Sequence, residues 1–290
     1  MPGTLIEGVV VGSLYALIAL GPCLVYGLMK VLDIANAASL TLGAYLALVV
    51  TSATGNLLLG VVVAVGAGSS VGWLLQRFLY APILQRGPIV VLITSIGLYI
   101  AADELFRLVF GPLQRSIDVT VPIPDIRVAG TVVSGIDLLI LLVGVGLLVT
   151  TWLVLSRTRI GIIWRAVAQD GATASAIGIN SKRVVGLVFV IGYGLSAFAG
   201  VLLSMKYDAV YPTLGDVPAY KMLAIIILGG LGSPLGTIAA ALLVGLVETI
   251  TVATVGFVIP RDAIAFVALV IILLVRPAGL IPSRVVKVKV

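Results

Sequence analysis

The stretch VVGLVFVIGYGLSAFAGVLLSM, residues Val184–Met205, contains no charged side chain over 22 residues. A helix needs about 20 such residues to cross a membrane, because each residue adds about 1.5 Å and the hydrocarbon core is about 30 Å thick. A transmembrane β-strand would instead alternate apolar and polar residues with a period of two. The stretch therefore predicts a membrane-spanning helix.

The composition of the whole chain points the same way. Of its 290 residues, 61% are hydrophobic and only 10% are charged, and the mean hydropathy is +1.26. An average soluble domain has about 25% charged residues, so this surface cannot face water on all sides. The values exclude a soluble globular protein, a coiled coil and a disordered chain. They favour an all-α, polytopic integral membrane bundle.

Polar turns divide the hydrophobic sequence into about eight to nine transmembrane helices, one of them short or broken. We expect a single transmembrane domain over residues 1–290, with an external loop near 111–135 and a cytoplasmic segment near 157–183. The broken helix is expected near 219–232, because the glycines and proline of Gly229–Pro234 interrupt helices. The other expected spans are 5–29, 35–53, 57–79, 88–110, 136–156, 184–205, 235–253 and 260–276.

Basic residues predict the orientation, because cytoplasmic loops are rich in lysine and arginine. The segment Arg157–Arg183 carries five basic residues and one acid, Asp170, so we expect it in the cytoplasm. Counting outward gives nine crossings, with the N-terminus outside, the C-terminus inside and 12 of 18 basic residues on the cytoplasmic side. If the broken helix only re-enters the membrane, the count becomes eight and the basic tail lies outside.

Motifs for catalysis and for metal binding are missing from the sequence. It has no histidine, one cysteine and no G-x-x-x-x-G-K-[ST] loop that could cradle ATP phosphates. We therefore predict no catalytic residue, no metal site and no cofactor bound by this chain.

Three acidic residues near the expected outer ends of spans are open to two interpretations. Asp103 and Glu104 lie within one helical turn of Arg107, which favours an internal ion pair over a role on a substrate path. Glu248 is either a functional intramembrane carboxylate or a partner in helix packing.

The cytoplasmic segment is expected to contain a short, slim helix over Trp164–Ala176. Alanine occupies five of its positions, and Gly178 can end it. Such a helix between two spans suits a groove in a soluble partner, and it equally suits a merely solvated loop.

Several segments resemble the permease subunits of branched-chain amino acid ABC importers, the LivH type, over nearly the whole chain and in the family's order. The matching segments are Gly12–Gly21 with Val25–Gly27, Leu42–Tyr45, Arg165–Asp170, Gly178–Asn180, Leu228–Ser233 with Gly236, and Arg276–Leu280. One stretch departs from the family, which commonly has Asn-Phe-Ala-His-Gly-Asp where this chain has Asp33–Ala38. Asn36 stands at the histidine position, which bears on substrate and gating.

The resemblance implies a multi-subunit importer in the bacterial inner membrane. This chain and a homologous permease would form the pathway for branched-chain or related amino acids. Two separate ATPases would use ATP and Mg, and a periplasmic or lipid-anchored binding protein would deliver the solute. We expect coupling to the ATPase at Trp164, Arg165, Ala166, Val167, Ala168, Gln169, Asp170 and Gly178, and all of these except Trp164 lie in segments that carry the resemblance. The expected pathway residues are Asn36, Gly229, Gly230, Gly232 and Ser233.

Three alternatives remain at this point. The same machine could carry urea or a short amide, or the chain could be an ATP-independent secondary transporter or channel. Ion-coupled carriers place ionisable residues near the bilayer midplane, whereas the acids here are expected to lie toward the outside. An intramembrane enzyme is the weakest alternative, because no nucleophile and base form a pair.

Overall fold

The computed structural model describes residues 2–116, 125–128, 131–255 and 279–281, together with the single helical positions 263, 267, 270 and 274. The expected span at 260–276 falls outside the described residues apart from those four positions. Within the described part, seven helices are long and apolar enough to cross a membrane by length and composition. They are α1 (Pro2–Met29), α2 (Asn36–Thr54), α3 (Leu57–Leu74), α5 (Pro88–Phe110), α6 (Gly135–Arg157), α9 (Ser181–Tyr207) and α11 (Pro234–Val255).

A 3₁₀ turn, Leu84–Arg86, follows the third span, and four shorter α-helices also belong to the described bundle. They are α4 (Ala81–Ile83), α7 (Arg159–Gln169), α8 (Gly171–Ala176) and α10 (Asp216–Gly229). A π-helical turn, Leu75–Tyr80, joins α3 to α4, so the third span continues to Ile83. The prediction of a polytopic helical bundle is confirmed, and α10, with 14 residues, is the short helix.

Helix α1 lies at the centre of the bundle, where it contacts α6, α9, α10 and α11, and nearly all of its residues are buried. Its contact with α9 is backbone to backbone. A Cβ atom on Gly21 would lie 2.5 Å from the Gly192 carbonyl oxygen. On the other side, a Cβ on Gly245 of α11 would lie 2.5 Å from the Cα of Gly12. Glycine at these positions lets the helices approach closely, which maximises van der Waals contact in lipid.

The helix contacts also define two ends of the bundle. Gly232, in the turn between α10 and α11, lies against Gly27 near the end of α1, and Trp164 of α7 lies against the same Gly27. This is the α7 end. At the opposite end, Lys206 at the end of α9 forms a 2.5 Å ion pair with Asp137 at the start of α6.

The connection between α5 and α6 contains a feature that an all-α prediction does not include. Strands β1 (Ile126–Val128) and β2 (Thr131–Val133) form an antiparallel hairpin in which Ile126 faces Val133. Most residues of the two strands are β-branched, and such side chains favour extended backbone. The hairpin lies outside the spans, so the bundle itself remains helical.

Candidate functional site

The predicted coupling helix is two helices. A single helix over Trp164–Ala176 is wrong, because α7 ends at Gln169 and α8 begins at Gly171. Asp170 breaks the helix because its carboxylate caps α8, accepting hydrogen bonds from the backbone nitrogens of Ala172 at 2.9 Å and Thr173 at 3.1 Å. The hydroxyl of Thr173 and these backbone donors hold the pKa of the exposed Asp170 carboxyl below its ordinary value.

Helix α7 has one face turned into the bundle. Trp164 and Val167 are buried with Gly161, and the indole of Trp164 lies over Gly27 of α1. Trp164 thereby packs α7 against α1, and the coupling role expected for Trp164 and Val167 stays a prediction. Arg165 is exposed, but its guanidinium donates to the Leu155 carbonyl oxygen at the end of α6.

The remaining residues of α7 and α8 include exposed side chains that a partner could contact. Gln169 and Asp170 are exposed, and Ala166 and Ala168 are half-buried. The segment ends as predicted at Gly178, which has a φ of +91°. The Ile179 nitrogen donates to the Ala174 oxygen and the Gly178 nitrogen to the Ser175 oxygen, which is the Schellman arrangement that ends helices.

The predicted break at Gly229–Ser233 is confirmed, because α10 ends at Gly229 and α11 begins at Pro234. Its observed contacts are those of helix packing. A Cβ on Gly229 would lie 2.5 Å from the Gly236 carbonyl carbon, and Gly230 and Gly232 both have positive φ angles in the turn. The buried Ser233 accepts a hydrogen bond from the Gly236 nitrogen. Their place on a translocation pathway stays a prediction.

Asn36 lies in the interior at the start of α2 and is fully buried. Its side-chain oxygen accepts a hydrogen bond from the hydroxyl of Ser196 on α9. Among the described residues its amide nitrogen has no hydrogen-bond partner. A buried donor without a partner is uncommon in proteins. The amide nitrogen of Asn36 is therefore free to donate a hydrogen bond to an acceptor group that comes within reach.

Just before Asn36, the buried carboxylate of Asp33 joins three separate parts of the chain. The hydroxyls of Tyr80 and Tyr193 each donate to one of its oxygens, both at 2.7 Å. The loop between α1 and α2 is thereby fixed to the π-helical turn and to α9.

A second buried polar cluster, which the sequence interpretation did not anticipate, joins α1, α10 and α11. The ammonium of Lys221 lies 3.1 Å from a carboxylate oxygen of Glu248 and 2.6 Å from the hydroxyl of Tyr15. The hydroxyl of Tyr15 also donates to Glu248 at 3.0 Å. Lys221 is 4% exposed and Glu248 is 3% exposed, so this ion pair is cut off from water.

The position of this cluster corrects the expectation that Glu248 lies near the outer end of its span. Its partner Tyr15 is halfway along α1. Lys221 stands nine residues before the Gly230–Ser233 turn and Glu248 fifteen residues after it, so their spacing in the sequence did not pair them.

The acids of α5 have separate environments. Glu104 forms the expected ion pair with Arg107, at 2.9 Å and largely exposed. Asp103 is instead buried, and among the described residues one of its carboxylate oxygens has no hydrogen-bond partner. The hydroxyl of Tyr99 donates to Asp216 at 2.5 Å. No group of three potential metal ligands occurs among the described residues.

Comparisons with known proteins agree with this geometry. The family model described as "Branched-chain amino acid transport system / permease component" matches residues 4–275. The chain is 30% identical to the permease protein BraD of the high-affinity branched-chain amino acid transport system of Pseudomonas aeruginosa. That alignment covers 96% of this chain and 94% of BraD. It is also 30% identical to LivH of Escherichia coli K12, a permease protein of the same kind of system, over 95% and 93% of the two chains.

A solved structure shares the fold. PsaBC from Streptococcus pneumoniae in complex with Fab superposes with a TM-score of 0.50 at 15% identity, covering 97% of this chain and 91% of that one. At this identity the likeness concerns the fold alone. The helical bundle, the family match over most of the chain and the full-length relatives lead to one conclusion: this multi-pass membrane protein belongs to the family of permease components of branched-chain amino acid transport systems.

Proposed function

We propose that this chain forms half of the pathway of an ABC importer for branched-chain amino acids. The observation that carries the proposal is the α7–α8 element. It is packed against α1 by Trp164. Between two membrane spans it exposes Gln169 and Asp170 together with the apolar Ile160 and Ile162. The full-length relatives BraD and LivH, both named as branched-chain amino acid permease proteins, support the substrate class.

The proposed partners follow from what the chain itself contains. Without a phosphate-binding loop in its sequence, it would depend on two ATPase subunits that use ATP and Mg. A second permease would complete the pathway, and a binding protein outside the membrane would deliver the solute. Nucleotide-driven movement of the ATPases would pass through α7 and α8, shifting the permease between inward-facing and outward-facing states.

The proposed orientation places the α7 end in the cytoplasm of a bacterial cell. Lys30, Arg77, Arg157, Arg159 and Lys182 lie at this end, in keeping with the positive-inside rule. The N-terminus of α1 is then outside. The Leu280 nitrogen donates to the Leu228 oxygen at the α7 end, whereas α11 ends at the opposite end. These positions support a cytoplasmic C-terminus and nine crossings over the re-entrant alternative.

The direct test of this function is uptake in the organism that encodes the chain. Deleting its reading frame should abolish high-affinity uptake of labelled leucine, isoleucine and valine, and restoring the frame should recover it. The reconstituted complex should transport with ATP and should stop with a non-hydrolysable analogue. The chain purified alone should hydrolyse no ATP. Uptake of urea or a short amide instead would show that the proposed substrate class is wrong. Transport driven by an ion gradient without ATP would contradict the proposal.

The coupling element has its own test, in the variant Ala168→Trp. Ala168 is half-buried, so a tryptophan there crowds the adjacent surface of α7. Overpacking a contact typically opposes it by ~1–3 kcal/mol, or roughly 5- to 150-fold in association. We expect membrane insertion to be unchanged, and ATPase binding in pull-down and substrate-stimulated hydrolysis to fall. Ala53→Trp, an exposed alanine at the opposite end of the bundle, is the matched control. Equal assembly and transport by both variants would show that α7 is not the coupling element.

A further inference from the structure

A groove of about 870 Å³ opens at the α7 end, between the end of the third span and the first turns of α9. Three basic side chains line it: Arg77 from the π-helical turn, and Lys182 and Arg183 from α9. Gln76 and Asn180 add polar groups to the same wall. The groove belongs neither to the exposed face of α7 and α8 nor to the buried polar clusters.

The positive charge of this groove is uncompensated within the described chain. The described part of the chain contains three ion pairs, and none of them involves a groove residue. They are Arg107–Glu104, Lys206–Asp137 and Lys221–Glu248. Helix α9 also begins here, and the N-terminus of a 27-residue helix contributes partial positive charge. The charge therefore favours an anionic ligand.

The rest of the groove wall is apolar and faces outward. Trp73 and Leu187 line it, with 43% and 58% of their surfaces exposed. Arg77 extends over Trp73, with its guanidinium carbon 5.4 Å from the ring centroid. Tryptophan is enriched where a membrane meets water, and basic pockets between spans on the cytoplasmic side suit acidic headgroups. An exposed apolar wall beside a cluster of cations matches a molecule with an acyl chain and a phosphate.

We propose that this groove binds an anionic phospholipid of the membrane that the chain spans, with the headgroup phosphate among Arg77, Lys182 and Arg183 and an acyl chain along Trp73 and Leu187. An acidic protein surface would neutralise the cations, but it would leave the apolar wall exposed at membrane depth. The site is independent of the solute that the chain transports.

The test is a lipid titration of the purified chain in a neutral detergent, read by native mass spectrometry. The probe is phosphatidylglycerol, with phosphatidylcholine as the uncharged counterpart and inorganic phosphate as a free anion. The groove variant is the triple change Arg77→Ala, Lys182→Ala and Arg183→Ala. The control triple replaces Arg86, Arg157 and Arg159 with alanine, because these exposed arginines near the same end lie outside the groove.

We expect phosphatidylglycerol to bind the parent and the control triple alike, and the groove triple at least tenfold more weakly. Phosphatidylcholine should bind weakly to all three, and millimolar inorganic phosphate should not displace the lipid. Equal weakening by both triples would overturn the proposal in favour of general charge attraction. Displacement by free phosphate would overturn it in favour of a soluble anion.

A second measurement does not depend on how the variants fold. A photoreactive phosphatidylglycerol added to the parent chain should label peptides that contain Trp73–Arg77 or Lys182–Leu187. Labelling spread evenly over the spans would contradict the site. If the groove triple keeps lipid binding but loses its association with the ATPase, the groove is a protein contact and the lipid proposal is wrong.

Discussion

Removing one member of the buried ion pair should destabilise the bundle by about 3–5 kcal/mol, because the other charge stays buried without its countercharge. We expect Glu248→Leu and Lys221→Met each to have this effect in unfolding experiments that titrate SDS into mixed micelles. Tyr15 still contacts the remaining group in each variant, but one hydroxyl cannot replace a full countercharge.

The double variant Lys221→Met with Glu248→Leu should recover much of the loss, since an apolar pair leaves no buried charge unpaired. The double-mutant cycle should then give a coupling energy of at least about 2 kcal/mol. The matched control is the pair Arg107–Glu104, whose side chains are 47% and 58% exposed. Breaking that pair with Glu104→Gln should change stability by less than about 1 kcal/mol. Additive losses at Lys221 and Glu248 would show that the two side chains are not coupled.

The second large effect is expected at the crossing of α1 and α9. A methyl group on Gly21 would lie 2.5 Å from the Gly192 carbonyl oxygen and 3.0 Å from its Cα. Both atoms belong to the backbone, so no side chain can move aside and the helices must separate. We expect Gly21→Ala to lose ~3 kcal/mol or more, at the upper end of overpacking effects, and to lower Tm in detergent.

The same crossing supplies a graded comparison. A Cβ on Gly192 would lie 3.1 Å from the Gly21 oxygen, so Gly192→Ala should be milder than Gly21→Ala. Gly97 on α5 has no atom within 4 Å of the corresponding position. Gly97→Ala should therefore be neutral or slightly stabilising, because alanine favours helix over glycine by about 1 kcal/mol. Equal Tm values for all three variants would contradict the close approach of α1 and α9.

The ends of the helices could be predicted from local sequence, because the signals are local. Uncharged runs of about 20 residues set the spans, and the glycine turn after α10 set the break. The break between α7 and α8 could also have been predicted, because Asp170 stands directly before glycine and small residues, where its carboxylate can cap a new helix. The alanine-rich pattern favours one continuous helix, but the hydrogen bonds of the Asp170 cap favour the start of a second one.

The buried polar contacts could not be predicted in the same way. Asp33 meets Tyr80 and Tyr193, which lie 47 and 160 residues away in the sequence. The contact exists only after α3 and α9 have packed, so no periodicity within one helix encodes it. The inward turn of Trp164 is of the same kind, because it depends on the absence of a side chain at Gly27.

The shortness of α10 changes the barrier that the bundle presents to a solute. Its 14 residues extend about 21 Å, less than the ~30 Å hydrocarbon thickness of a bilayer. Its first residue, Asp216, is exposed and lies level with Tyr99, halfway along α5. The connection from α9 to α10, with its buried Val210 and Leu214, fills the depth that α10 does not reach. If the solute passes along α10, a zwitterion entering from the opposite end would meet the exposed carboxylate of Asp216 about halfway across, which would lower the desolvation free energy that the conformational change must supply.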